Sequence, residues 1–432
     1  MKHLFTTDAK RRHRRTSLLS IVGLLISVVG AVAATPARAA NVEMTFLTPA
    51  YLAGTVKATE RIVADWNKAN PSSTVKIVYG DPNNINDKLT TSFAGGVAPD
   101  IFVLEAASLL NFSKQGYVAP ISRDMASLKS QIQPSLWTTG SYKARLYGVP
   151  TMTQSYTVFA NIDLFKKAGI SIPTGSGSLT WDDFRALAKK LTTKDQYAIG
   201  WGLKSPAATF MIMGSNFNGT FFKGLTTTPY LRIGAAELEV PNRVHDMIYV
   251  DKTVDPASIV ISGGANTAPF LAGKYPMIVG GSYVASDLDK AAIATGFHWT
   301  ALPLLKGITS NQGANPQTIS VSAQSKYKKQ AAAFIRFFMQ DKNLAELSLG
   351  EALTPSTKGA VAEVLAQKKD SPGWTQIMND SSSFVLSPFT LVPNYQKWKD
   401  TVAQPTWQQW VQGKITESQM VDKLNQGWKN IR

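Results

Sequence analysis

Residues 142–191, YKARLYGVPTMTQSYTVFANIDLFKKAGISIPTGSGSLTWDDFRALAKKL, read as one continuous connection between structural elements. Arg145, Leu146, Tyr147, Gly148, Val149 and Pro150 form a strand-like lead into an apolar run from Tyr156 to Ala160. A short helix from Asp163 to Ala168 then stops at Gly169, where a left-handed C-cap needs no Cβ. Pro173 and the Gly-Ser-Gly-Ser stretch 175–178 make a loop. Thr180 and Asp183 have the spacing of a capping box, and Phe184, Leu187, Ala188 and Leu191 follow at offsets of three and four.

Outward from this stretch the same alternation continues. Residues 42–47, VEMTFL, alternate like a strand and are followed by the loop Thr48-Pro49-Ala50-Tyr51. A helix through Ile62, Val63 and Trp66 ends before Asn70-Pro71, because the residue before proline disfavours helical backbone. A strand over 75–78, a turn at Asp81-Pro82-Asn83-Asn84 and a helix through Leu89 and Phe93 ending at Gly95-Gly96 come next. Residues 100–104 are a short, continuously apolar strand with Glu105 at its carboxyl end. Strand alternating with helix implies a mostly parallel α/β sheet. Farther on, strands are expected over 276–279 and 319–322 and a helix over 326–349. A last helix starts at the Thr416/Gln419 pair and places Met420, Leu424 and Trp428 on one face.

At 432 residues the chain exceeds one ordinary core, so two lobes are expected, and 44% hydrophobic residues with ten Trp suffice to fill them. Residues 1–39 have the three-part layout of a secretory signal peptide. Lys2, Lys10, Arg11, Arg12, Arg14 and Arg15 precede an apolar run over 18–34, and Ala37-Arg38-Ala39 offers a cleavage site. The run is broken by Ser20, Gly23, Ser27 and Gly30 and barely reaches the ~20 residues of a membrane span, which favours cleavage over anchoring. Arg14-Arg15 before Thr16-Ser17-Leu18-Leu19 is similar to a twin-arginine (Tat) signal, but Ser17 stands where a bulky apolar residue is usual, so Tat and Sec export both stay open. The net charge is +16, of which seven Lys/Arg less one Asp in residues 1–39 supply +6, leaving +10. Those charges are scattered, as at Lys326, Lys328 and Lys329, rather than striped with aromatics, so nucleic acid is not an expected partner.

The order of the 142–191 stretch closely resembles the extracellular solute-binding proteins of ABC importers, in particular the carbohydrate-binding group called family 1. The resemblance rests on Tyr147-Gly148-Val149-Pro150, on 161–170 (NIDLFKKAGI) and on Thr180-Trp181-Asp182-Asp183-Phe184. Lys143-Ala144-Arg145 and residues 159–163 depart slightly from the usual pattern. Residues 66–78 (WNKANPSSTVKIV) and 87–105 (DKLTTSFAGGVAPDIFVLE) extend it, as do 270–277 (FLAGKYPM), 280–283 (GGSY), 301–304 (ALPL) and 353–356 (LTPS). The resemblance implies an α/β, two-lobe periplasmic-binding-protein (Venus flytrap) fold, each lobe a mixed, mostly parallel sheet flanked by helices, with a multi-segment hinge. By analogy the chain crosses near Pro150, Tyr283 and Lys326. The N-terminal lobe is then 40–150 with 284–327, and the C-terminal lobe 151–283 with 328–432. It further implies a monomeric exported receptor in the periplasm or cell envelope, partnered by a carbohydrate ligand and by ABC permease transmembrane subunits with a separate ATPase. Many relatives carry a lipobox cysteine; this sequence has no Cys, so it is not expected to be a lipoprotein.

No catalytic constellation stands out, and no cofactor or metal is expected. Only His245 and His298 follow residue 39, and without Cys a Cys/His zinc site is not supported. No GxSxG elbow, GxGxxG loop or P-loop is present, which leaves transport energy to another protein. Paired carboxylates for glycoside hydrolysis stay open, since Asp and Glu are abundant; so does a glycerophosphodiester or other polar solute in the same fold. Sugars present hydroxyls at the ring edge and C–H on the faces, so a site needs amides, carboxylates and flat aromatic rings. Ligands of open α/β sheets sit at the carboxyl ends of strands, which selects Tyr51, Asn84 and, first among them, Glu105, whose carboxylate can accept two hydroxyls. In the second lobe the candidates are Gln154 and Tyr156, Trp201 between glycines, Asn216 and Phe217 in a Gly-rich loop, and Gly281, Ser282 and Tyr283 after a strand. Asn315, Gln317 and Phe389 complete the set. Residues 380–396 hold no Arg or Lys, which disfavours a phosphate and favours an uncharged or amino-bearing sugar.

Overall fold

Strand Val42–Pro49 pairs in parallel with Ser73–Gly80 along its whole length and with Ile101–Glu105 near its end. The computed structural model describes residues 41–431 except 83, 176–178 and 226–227, so the expected signal segment and most of the 175–178 loop lie outside the described residues. The two helices between these strands, Ala53–Ala69 and Ile85–Ala94, bury the residues that their spacing predicts: Ile62, Val63 and Trp66, then Leu89 and Phe93. Strand Ile101–Glu105 is covered on both faces. Ile101 and Val103 pack into one core and Phe102 and Leu104 into another, the two-residue alternation of a strand.

Two more strands complete this first sheet, in the order Ser73–Gly80, Val42–Pro49, Ile101–Glu105, Gln317–Val321, Gly148–Pro150. Gln317–Val321 runs antiparallel to both its neighbours. The second sheet has the order Trp299–Ala301, Tyr156–Asn161, Met277–Gly281, Ile199–Trp201, and only its last pair is parallel. Both sheets are mixed, as expected, but the expected parallel majority holds only for the first three strands. The strands that return from the other lobe arrive along extended segments rather than over a crossover helix, and so enter their sheet from the opposite end.

The capping chemistry follows the sequence. Thr180 and Asp183 close a reciprocal box on helix Trp181–Leu191, Gly169 has φ +66°, and Thr416 and Gln419 exchange bonds of 2.9 and 3.2 Å ahead of helix Glu417–Ile431. The helix expected over 326–349 is instead two, Lys328–Phe338 and Asp341–Glu351. Gln340 between them is extended, its N–H donates to the Phe337 carbonyl (3.2 Å), and the Asn343 amide donates to the same carbonyl (2.7 Å).

Each sheet anchors one lobe. Two small ribbons link them: Met152–Thr153 antiparallel to Thr354–Pro355, and Gln312–Ala314 parallel to Phe384–Leu386. The chain leaves the first sheet at Pro150. The expected crossings at Tyr283 and Lys326 do not occur. Helix Val284–Thr295 and strand Trp299–Ala301 stay with the second sheet, while Ala331, Phe334, Ile335 and Phe338 pack against Phe46 and Trp66 of the first lobe. The boundaries expected at 284–327 and 328–432 therefore do not follow the sheets. The chain returns along 302–316 and crosses again after helix Lys358–Gln367.

Helices Ala53–Ala69 and Asp341–Glu351 meet where two glycines face each other. A Cβ on Gly54 would lie 2.6 Å from the Gly350 carbonyl oxygen, and one on Gly350 would lie 2.5 Å from the Gly54 carbonyl carbon. This contact holds Tyr51 and Glu351, which flank the two glycines, close together. Gly350→Ala gains helix propensity of ~1 kcal/mol but meets backbone, which cannot swing aside. We expect a net loss of ~1–3 kcal/mol in urea unfolding; an unchanged or raised midpoint would contradict the close contact.

Candidate functional site

Glu105 occupies the last position of its strand and the N-cap of helix Ala106–Lys114, yet its side chain does not cap the helix. Asn315 does that work: its Oδ1 accepts from the Ala107 N–H (3.1 Å), and the Pro316 carbonyl takes the Ala106 N–H (2.9 Å). The Asn315 Nδ2 then donates to Glu105 Oε2 at 3.0 Å, which fixes the carboxylate and leaves it at the strand end with lone pairs free. Gln317 is Glu105's direct partner across the ladder, and its Nε2 donates to Glu351 Oε1 at 2.8 Å.

The opposite wall comes from the second sheet. Tyr156 starts a strand whose backbone is held on both sides by the Gln312 amide, which accepts from the Tyr156 N–H (2.8 Å) and donates to its carbonyl (2.7 Å). Gly281 pairs with Tyr156, and a Cβ there would lie 2.4 Å from the Tyr283 ring and 2.6 Å from the Gln154 amide carbon. The missing side chain lets Gln154 and Tyr283 pack across the strand end. Phe389 and Tyr395 stack with centroids 4.6 Å apart.

These groups enclose a cavity of about 360 Å³ between the two lobes. Its first-lobe side is Tyr51, Leu52, Glu105, Asn315, Gln317 and Glu351, and its second-lobe side is Tyr156, Ala208, Ile212, Tyr283, Phe389, Tyr395 and Lys399, with Met152, Gln154 and Leu353 at the linking ribbons. A second recess of about 260 Å³ shares Tyr51, Glu105 and Lys399 and continues past Pro82, Ile85 and Asn86. Both volumes are near the lower end of small-molecule sites.

Electrostatically the cavity offers neutral phenols. Burial raises the Tyr156 hydroxyl to about 12 and the Tyr283 and Tyr395 hydroxyls above their ordinary range. Tyr51 is raised by burial and then by the negative charges of Glu105 and Glu351. Burial also pushes the Glu351 carboxyl up to about 7, with the Gln317 amide pulling the other way. Lys399 is half-buried, its ammonium 3.6 Å from Asp400. Rings, hydroxyls, amides and one carboxylate around a partly dry space can stack on C–H faces and hydrogen-bond a polyol.

Of the residues singled out in the sequence, Tyr51, Glu105, Gln154, Tyr156, Tyr283, Asn315, Gln317 and Phe389 converge on this cavity. The others do not. Trp201 is 1% exposed and stacks on Trp181 in the second-lobe core, and its flanking glycines serve packing against Tyr275 and Gly263. Asn216 is buried as the acceptor for the Trp181 indole N–H (2.9 Å) and a donor to the Asn311 carbonyl (2.7 Å). Phe217 packs in the same core under the Arg243 guanidinium. Asn84 is exposed and donates to Asp81, while Pro82, Ile85 and Asn86 around it face the second recess. Gly281 acts only by its small size, and Ser282 is fully buried with its N–H on the Ser155 carbonyl.

Glu351, Tyr395 and Lys399 were missed. Glu351 lies four and seven residues after Leu347 and Leu344, on the buried stripe of its helix, so its misplaced charge was readable from spacing alone. Lys399 is four residues after Tyr395, hence on the same side of one helical turn. It lies just past the 380–396 window and overturns the inference that the cleft lacks a cation there.

Residues 50–345 match the family described as bacterial extracellular solute-binding protein. An uncharacterized lipoprotein encoded in the oleD 5' region of Streptomyces antibioticus is 33% identical over 92% of this chain and 88% of its own. Among solved structures, the sugar-binding protein MalE of Xanthomonas citri is similar with a TM-score of 0.77 at 17% identity, over 90% of this chain and 97% of that one. The ABC substrate-binding protein Lmo0181 of Listeria monocytogenes, in complex with cycloalternan, has a TM-score of 0.75 at 21% identity, over 90% and 99%. With that match over most of its length, the chain belongs to the family of bacterial extracellular solute-binding proteins.

Proposed function

We propose that this protein is an exported receptor that captures a mono- or oligosaccharide, amino sugars included, between its lobes and delivers it to the transmembrane subunits of an ABC importer driven by a separate ATPase. It acts as a monomer, without cofactor, and releases its ligand unaltered. The observation that carries this reading is the convergence of Tyr51, Tyr156, Tyr283, Phe389 and Tyr395 with Glu105, Gln154, Asn315 and Gln317, drawn from both lobes, on one cavity. A ligand that touches both walls stabilises the closed arrangement by the contacts only that arrangement provides. The names of two similar structures, a sugar-binding protein and a receptor holding cycloalternan, support the same ligand class. The Streptomyces antibioticus relative is called a lipoprotein, whereas this sequence contains no cysteine to carry a thioether-linked lipid.

Isothermal titration of the purified exported protein with a panel of sugars, paired with small-angle scattering, tests the proposal. Binding heat and a smaller radius of gyration with at least one sugar are expected. Silence with every sugar refutes the reading, and sugar cleavage on long incubation would indicate an enzyme instead. With a bound sugar in hand, Tyr156→Ala and Phe389→Ala should each weaken affinity about tenfold or more, ~1.4 kcal/mol. Gly281→Ala should do the same by displacing Gln154 and Tyr283, with a stability change of ~1 kcal/mol or less because both neighbours are movable side chains. An unaltered affinity in all three variants would place the ligand elsewhere.

A further inference from the structure

Glu351 is a carboxyl group in an unusual position for one. It is 4% exposed, ends helix Asp341–Glu351 and faces the cavity. Two features disfavour its charge: burial, which is the largest effect, and the negative end of its own helix dipole. Two hydrogen-bonding groups favour it, the Gln317 amide at 2.8 Å and the Thr55 hydroxyl. No cation joins the causes that act on it. Tyr51 and Glu105 share its wall, and Tyr156, Tyr283, Tyr395 and Lys399 line the opposite one. On the helix packed beside its own, Arg61 is committed to Asp65 and Glu346 at the surface. Lys358 and Glu363 belong to helix Lys358–Gln367, and Asp289 of helix Val284–Thr295 is paired with Lys368. Burial raises the carboxyl to about 7.

The geometry also says which oxygen carries the proton. Oε1 accepts the Gln317 N–H, so the acid proton belongs on Oε2. We propose that Glu351 meets the ligand as an uncharged carboxylic acid, donating a hydrogen bond from Oε2 to a sugar oxygen, and thereby selects neutral carbohydrates over amino sugars. This rests on the carbohydrate reading above and narrows it. Glu105 and Lys399 line the same mouth with opposite charges, and Asp400 lies beside Lys399 in the second recess. An ammonium group seeking Glu105 would also meet Lys399.

The sign of the pH dependence follows. A neutral sugar expels water from around Glu351 and raises its carboxyl further, so binding takes up a proton. Affinity is then flat below the free-state value and falls as pH rises through it. An ammonium-bearing ligand would lower the carboxyl instead, release a proton, and bind more tightly as pH rises. Neutral di- and trisaccharides such as cellobiose and maltotriose, with glucosamine and its dimer as charged counterparts, are the probes for titration of the full exported chain. For a neutral binder we expect about a tenfold loss of affinity between about pH 6 and pH 8.5, with proton uptake read from buffers of different ionisation heat. Glu351→Gln should flatten that profile. Carbon-13 spectra of Glu carboxyls give a ligand-free reading: the signal absent from Glu351→Gln should titrate near neutrality. A neutral sugar bound with no pH dependence, a pH dependence that survives in Glu351→Gln, or a Glu351 signal titrating in the ordinary carboxylate range would each overturn this inference while leaving carbohydrate binding intact. Failure of every probe to bind overturns the carbohydrate reading, and this inference with it.

Discussion

The site depends on the register of one strand. Gln317–Val321 comes back from the second lobe and inserts between Ile101–Glu105 and Gly148–Pro150, antiparallel to both. Gln317 lies opposite Glu105, and Asn315, just before the ladder begins, reaches both the Glu105 carboxylate and the end of helix Ala106–Lys114. Because side chains alternate along a strand, a shift of one residue would turn Gln317 into the sheet's other face and separate it from Glu351. The buried alternation of Thr318, Ile319, Ser320 and Val321 against the flanking strands resists such a shift.

Close backbone contacts bring the walls to that strand. Gly54 against Gly350 seats Tyr51 beside Glu351, and the bare Cα of Gly281 admits Gln154 and Tyr283. Neither pair of side chains could meet if a methyl group stood in between. The result is a cavity whose hydroxyls stay protonated and donate, whose Asn315 and Gln317 amides are already held by the Ala107 N–H and the Glu351 carboxyl, and whose one exposed carboxylate is held from behind by Asn315. Preorganised groups of this kind lose little freedom when a ligand arrives, which favours affinity for a ligand as well hydrated as a sugar.

Backbone pairing between the lobes is confined to two short ribbons, although Phe159, Ile278 and Trp299 of the second sheet share an apolar cluster with Phe46, Ile101 and Ile319 of the first. The second-lobe core is dense with Trp181, Trp201, Trp398, Trp407 and Trp428, several in edge-to-face contact. The links are two-residue and three-residue ribbons at 152–153 with 354–355 and at 312–314 with 384–386. Rigid bodies on short extended segments can change their mutual angle by small rotations in a few residues, the ordinary mechanics of hinge closure.

Much of this was legible in the chain. The period of three and four in helices, the continuous apolar runs of buried strands, the Thr180–Asp183 and Thr416–Gln419 caps and the stop at Gly169 are local physics, and each element appears where its residues put it. The rule that ligands meet the carboxyl ends of strands found Tyr51 and Glu105, though it also selected Asn84, which does not line the cavity. What failed was whatever depends on long-range contact. Trp201, Asn216 and Phe217 sit in a polar, Gly-rich setting that reads as a ligand loop, yet the fold turns them inward to pack around Trp181. Glu351 and Lys399 become cavity residues only because helix Asp341–Glu351 packs on Ala53–Ala69 and the 395–399 turn folds over the cleft. Spacing along a chain fixes which residues share a face; only the packing of one face on another decides whether that face meets solvent, core or ligand.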